Sequence, residues 1–258
     1  MRSVWICAVA VLLSMNSHAF SEVRIGLLVY PPYVTDDQKG LIVSVIEEAN
    51  LKEEIAISLL PPKRLFLSFD AGKIDLAFVS KISQTPARLR SSTLLRMFSG
   101  DTALFFDKRH TPDIDAKLMD RSKSDLKVAV IRGVQFEAEA LRKDGFDVWE
   151  VETPKQAMRV LTAGRVAFIH MSMVPIKLLL NDEAFRADQK HIKQYKRTYL
   201  ENPVGLLYRT DASRSIRLAV EKISTVLQDP GKMRAILEDN EIPSELHKEI
   251  APRNYLNR

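Results

Sequence analysis

The chain has 258 residues, with 38 lysines and arginines against 33 aspartates and glutamates, a formal net charge of +5 and a single cysteine, Cys7. That length holds one sizeable domain or two small ones, and one thiol near the N-terminus excludes an internal disulfide or a cysteine-built metal site. Its basic residues are scattered; the short cluster KHIKQYKR (residues 190–197) reads as solvated surface, so no basic stripe points to nucleic acid.

In chain order, an export signal comes first. Arg2, an apolar core from Val4 to Leu13 and the small residues Ser17 and Ala19 fit a segment, residues 1–19, that is cleaved before Phe20. The core is too short to span a bilayer. Short continuous apolar runs then alternate with segments of helical period, the pattern of a parallel sheet buried on both faces. The runs are VRIGLLVY, IAISLL, IDLAFVS, TALFF, KVAVI, DVWEVE, VAFIHM and, late in the chain, VGLLYR. Between them, Leu41, Ile42, Val45, Ile46 and Ala49 mark one apolar helix face. Ala157, Met158, Val160 and Leu161 mark another, opened by Thr153 and Pro154 and stopped by Gly164. Residues 213–228 carry Ile216, Val220, Ile223 and Leu227 on one face, and a shorter helix follows DPG.

The class is α/β. A polar stretch, residues 107–125, separates two βα series and reads as a connection at a lobe boundary. The late run returns a strand to the first series. The expected division is a first lobe from residues 20–105 and 205–258 and a second from residues 106–204.

In open α/β sheets, ligands lie beyond the carboxyl ends of the strands. Those ends gather Tyr30 and Tyr33 after the first run, Arg64 after the second, and Ser80, Lys81, Ser83 and Arg88 after the third. Arg132 and Gln135 follow KVAVI, and His170 and Ser172 close VAFIHM. One rim of aromatics, hydroxyls and cations suits an anion or a small polar solute. Each residue also has a plainer reading: Arg64 and Arg88 in ion pairs, the tyrosines in core packing, His170 as a satisfied internal histidine. The acidic residues near the cleft, Glu137 and Glu152, have no distinctive setting, and His110, His191 and His247 lack metal-ligand spacing. No catalytic residue, metal or cofactor is therefore expected.

These residues and their order resemble the periplasmic solute-binding proteins of the amino-acid uptake type, family 3. The resemblance is carried by PPY after the opening strand, a helix started by Gly40, and the segments AGKIDLAFVS, TPAR, DLKVAVIRG and AGRVAFIHM. It implies two lobes, each a mostly parallel sheet flanked by helices, joined by strands near residues 100–106 and 200–206, with a ligand cleft between. It implies a monomer that captures a solute by lobe closure and delivers it to an ATP-driven permease, or alternatively presents it to a membrane sensor. By the same resemblance Arg88 clamps a ligand carboxylate, as a planar guanidinium suits. Ser83 and Lys81 complete the first lobe's contacts, Tyr33 packs on the ligand, and Gln135 follows a glycine turn that presents helix amides. Residues 167–172 lack the carboxylate that the family sets against a ligand ammonium. The expected solute is therefore an organic anion or a compound without a free amino group.

Overall fold

A computed structural model describes residues 22–51, 54–115, 126–132 and 135–251. The expected export signal at residues 1–19, much of the polar stretch at residues 107–125, Gly133, Val134 and the side chain of Gln135 lie outside the described residues.

The chain forms two five-stranded sheets. The first contains β1 (Val23–Leu27), β2 (Ile55–Leu59), β3 (Leu76–Ser80), β4 (Ser92–Ser99) and β10 (Pro203–Arg209), in the order β2-β1-β3-β10-β4. The second contains β5 (Thr102–Asp107), β6 (Lys127–Ile131), β7 (Asp147–Val151), β8 (Phe168–Ser172) and β9 (Ile192–Leu200), in the order β7-β6-β8-β5-β9. The central strands are the continuous apolar runs, since both their faces are covered; every residue of β8 is buried.

Each sheet divides its pairings evenly between parallel and antiparallel, where mostly parallel sheets were expected. A parallel neighbour requires a crossover connection. The strands β5 and β10 arrive directly from the other sheet without one, so they enter reversed. TALFF is accordingly a strand of the second sheet, and the exchange points lie at residues 99–102 and 200–203, a few residues before the expected boundaries.

Helices flank both sheets. In the first lobe, α1 (Leu41–Glu48), α7 (Arg214–Leu227) and α8 (Pro230–Asp239) enclose one core, and α2 (Pro62–Asp70) covers the other face through Leu65 and Phe69. A short α3 (Pro86–Ser91) follows β3. In the second, α4 (Gln135–Lys143), α5 (Pro154–Thr162) and α6 (Met173–Asn181) do the same. Thr153 caps α5 by accepting the Gln156 amide, and Ser213 caps α7 by accepting that of Ile216. Among the described residues no helix is long and apolar enough to cross a membrane.

The two crossings are tied together. The Gly100 amide donates to the Asn202 carbonyl at 2.8 Å, and the Asn202 amide donates to Asp101 Oδ1 at 2.9 Å. Behind them α6 leaves its own lobe's packing in part: Val174 is buried in the first lobe's core, and Lys177 Nζ lies 2.6 Å from Glu249 Oε2 on the short α9 (His247–Ile250).

Two carboxylates support these lobes electrostatically. Burial pushes Asp107 and Asp75 up, but hydrogen bonds from Arg109 and Arg24 outweigh it and hold both below the ordinary carboxylate value. A depressed folded value means the stabilisation is complete above the unfolded value near ~3.9 and is lost as the pH falls through the lower folded one. The stability gap between the protein and Asp107→Asn, read from urea midpoints, is therefore expected to shrink as the pH drops below about 4. A gap that widened with acid would contradict this.

Candidate functional site

The turn after β1 brings its tyrosines to the rim by backbone constraint. Tyr30 bridges Val34, and the amides of Leu41 and Ile42 donate to the carbonyls of Pro32 and Tyr33, docking the turn on the start of α1. Only glycine fits beside it: Gly40 has φ 105°, and a Cβ there would lie 2.7 Å from the Pro32 oxygen. The rings of Tyr30 and Tyr33 stack at 5.8 Å with planes 8° apart. Tyr33 is fully buried and its hydroxyl donates to the Ser99 carbonyl at 2.6 Å, so it braces the crossing from inside the first core. Tyr30 reaches the other lobe: its hydroxyl lies 2.8 Å from Ser172 Oγ, which itself donates to the Gly100 carbonyl at 3.2 Å. Burial drives both phenols well above the ordinary tyrosine value.

Arg88 is engaged within the first lobe. Its Nε and Nη2 donate to the two oxygens of Asp70, at the end of α2, at 2.9 and 2.7 Å, and its guanidinium lies 4.7 Å over the Phe66 ring. The planar fork suited to a ligand carboxylate holds one of this chain's own, and its hydrogen bonds keep Asp70 below the usual carboxylate range. Arg88 Nη1 also approaches Gln84 Oε1 at 3.4 Å. The turn Lys81–Ser83 is thereby attached to α3: Gln84 Nε2 donates to Ser83 Oγ at 2.7 Å and to the Ser80 carbonyl at 3.1 Å, and Ser83 Oγ donates to the same carbonyl at 2.8 Å.

This turn meets α4 of the second lobe. Between them runs a groove of about 620 Å³ lined by Lys81, Ser83, Gln84 and Leu89 on one side, Glu139 on the other, and Glu201 of the crossing. Three other residues of the expected site stand elsewhere. Arg64 is exposed on the first turn of α2, and Arg132 pairs with Glu152 and lies 3.9 Å from Glu150. His170 is buried in β8 with Nδ1 2.9 Å from Glu137 Oε2. Gln135 opens α4, its side chain outside the described residues.

The rim thus gathers Lys81 and Ser83 in one groove, with the Ser80 carbonyl behind them as an acceptor for Ser83 and Gln84, and joins Tyr30 to Ser172 across the lobes. Sequence reasoning missed Glu139, Gln84 and Glu201. Glu139 follows Gln135 by four residues on one helix, a spacing that repeats the face of a residue already singled out and could have found it.

No family model and no curated protein matches this chain. Solved structures do. The GluR0 ligand-binding core from Nostoc punctiforme in complex with L-glutamate is 16% identical, with a TM-score of 0.65 over 86% of this chain and 100% of that one. The solute receptor for L-cysteine of Neisseria gonorrhoeae is 15% identical, with a TM-score of 0.64 over 95% and 98%. The VFT2 domain of Bordetella pertussis BvgS is 14% identical, with a TM-score of 0.64 over 88% and 96%. What such likenesses carry at these identities is architecture, and with the paired mixed sheets and double crossing they establish that this chain has the two-lobed fold of the periplasmic binding proteins.

Proposed function

We propose that the chain, exported by residues 1–19, is a periplasmic solute-binding protein that takes a small polar, carboxylate-bearing solute between its lobes and passes it to a membrane permease. The observation that carries this reading is the groove where Lys81–Ser83 faces α4. Its volume of about 620 Å³ lies within the roughly 300–1,000 Å³ of small-molecule pockets. Lys81 supplies a cation for a carboxylate, with the Ser83 hydroxyl beside it. Arg88 then acts one layer back, positioning that turn through Gln84 and Asp70. Two of the similar structures bear names that specify amino acids, L-glutamate and L-cysteine, which fits a solute of this size and polarity.

The expectation of a solute without an amino group changes. The end of β8 does carry Ser172 in place of a carboxylate, but Glu139 and Glu201 bring carboxylates into the groove from α4 and the crossing. A zwitterion meets both signs of charge there. Thermal-shift screening of L-amino acids against their deaminated and N-acylated analogues is expected to favour the free amino acids. A solute at 100 times its Kd stabilises the folded state by about 2.7 kcal/mol. Lys81→Ala should weaken a carboxylate ligand about tenfold or more, since a charge partner is lost. The reading fails if no carboxylate-bearing solute shifts the midpoint, or if Lys81→Ala leaves the shift intact.

A second reading, a sensing module of the same fold, draws on the Tyr30–Ser172 bond, which joins the lobes through the chain's own atoms. Co-purification with a membrane sensor in place of a permease would decide for it.

A further inference from the structure

The bond between Tyr30 and Ser172 has a direction that the hydrogen count fixes. Ser172 has one hydroxyl hydrogen, and the Gly100 carbonyl 3.2 Å away can only accept, so it takes that hydrogen. What Ser172 offers to the first lobe is a lone pair. The Tyr30 hydroxyl, 2.8 Å away, is the donor. Ser172 is 4% exposed, so its oxygen has little recourse to water if that donor withdraws.

The donor is held in place rather than free to swing. Its ring is stacked on Tyr33, Tyr33 is fixed by its own bond to the Ser99 carbonyl, and the intervening turn is docked on α1. The acceptor sits where β8 passes into α6, and the Gly100 carbonyl belongs to the crossing. Three parts of the molecule thus converge on one oxygen: a first-lobe turn, a second-lobe strand end and the connection between the lobes. The Glu137 carboxylate on α4 acts electrostatically on the same phenol. A negative field at this point opposes an anion and favours a neutral or cationic donor.

We propose that Tyr30 is an internal surrogate for the solute's hydrogen-bond donor: its hydroxyl clasps the two lobes through Ser172, and a solute enters by presenting an N–H or O–H group of its own to that acceptor. The clasp stands on the geometry alone. The solute half rests on the reading given above and refines it: a donor group of the solute, beyond those that meet Lys81, Glu139 and Glu201 in the groove, is placed at Ser172. Binding then exchanges one donor for another, and a solute lacking a donor would leave Ser172 without one.

Two single substitutions separate this from a merely structural role. Tyr30→Phe keeps the stacked ring and removes the donor; Ser172→Ala removes the acceptor. Small-angle scattering of the exported chain, with circular dichroism to verify folding, reads the clasp without any solute. Each variant is expected to lower the closed-to-open ratio about tenfold, equivalent to about 1.4 kcal/mol, with the double variant no more open than either single. Unchanged scattering in both folded variants overturns the clasp. If Tyr30→Phe fails to fold, Ser172→Ala alone decides.

The solute arm uses L-amino acids as probes in thermal shift. Tyr30→Phe removes the competitor and should tighten binding, whereas Ser172→Ala removes the acceptor and should weaken it, each by about tenfold. A structural role would move both variants the same way, and that result overturns the exchange. If no L-amino acid binds, the solute half is overturned while the scattering result still decides the clasp.

Discussion

Phe168→Ala is expected to lower the stability of the second lobe by about 3–5 kcal/mol, the usual cost of emptying a buried phenylalanine site. Phe168 has no solvent exposure and lies on β8, between β5 and β6. Its ring meets Phe106, Phe146 and Tyr195 edge-on at 6.3, 6.1 and 5.8 Å. Phe106 and Tyr195 belong to paired strands, so they cannot close in on the vacated space, and incomplete collapse is what places such losses at the upper end. The loss extends beyond packing. Alternate residues of a strand share a face, so Phe168, His170 and Ser172 are aligned along β8. Loosening the first disturbs the internal pair with Glu137 and the acceptor for Tyr30. Urea unfolding followed by circular dichroism measures the loss, and hydrogen exchange should place it in β6 and β8. A change under about 1 kcal/mol would mean that the cavity refills and that this packing is not the lobe's anchor.

Gly205→Ala is expected to be at least as damaging to the first lobe. Gly205 lies in β10, paired with Val79 of β3 on one side and Arg96 of β4 on the other, beside a register shift in the β4 ladder. A Cβ there would stand 1.9 Å from the Leu95 carbonyl oxygen and 3.0 Å from the Met97 amide nitrogen. Those are backbone atoms inside a sheet, and no rotamer change relieves them. The cost should reach or exceed the upper end of the roughly 1–3 kcal/mol typical of overpacking. Gly26→Ala provides the contrast. Its Cβ would meet the terminal methyl groups of Ile74 and Leu65 at 2.5 and 2.6 Å, and side-chain ends can give way. Soluble yield and melting temperature should rank Gly205→Ala well below Gly26→Ala; equal effects would indicate that β4 shifts to accept the methyl.

The buried strands were legible because burial on both faces writes a continuous apolar run, as in KVAVI and VAFIHM, whatever their neighbours. Two strands carried no such signature. β4 and β9 lie at sheet edges, as β2 and β7 also do, but their sequences are interrupted by Arg96 and by Lys193, Lys196 and Arg197, charges of the kind that blunt an open ladder. KHIKQYKR, read as surface, therefore supplies much of β9. TALFF was legible as a strand but not as to its sheet, since an apolar run reads the same in either. The site followed a similar division. That residues after the strands form a rim is topology and could be read. Which partner each side chain takes could not: Arg88 on α3 meets Asp70 at the end of α2 across 18 positions of sequence, and Tyr30 meets Ser172 across 142.

The position of β10 also bears on how the molecule is made. β4 sits at the edge of the first sheet with β10 as its partner, and β10 comes after the whole of the second sheet in the chain. During synthesis from the N-terminus, β4 appears more than a hundred residues before the strand that pairs with it, while β5 to β9 follow one another without interruption. The second lobe can complete its ladder as it emerges. The first must wait, holding an unpaired edge and an open core face until Pro203–Arg209 arrives and the later helices close over it. The part of the protein that starts first therefore finishes last, and the interval between the two is when its β4 edge is exposed to pairing with another chain.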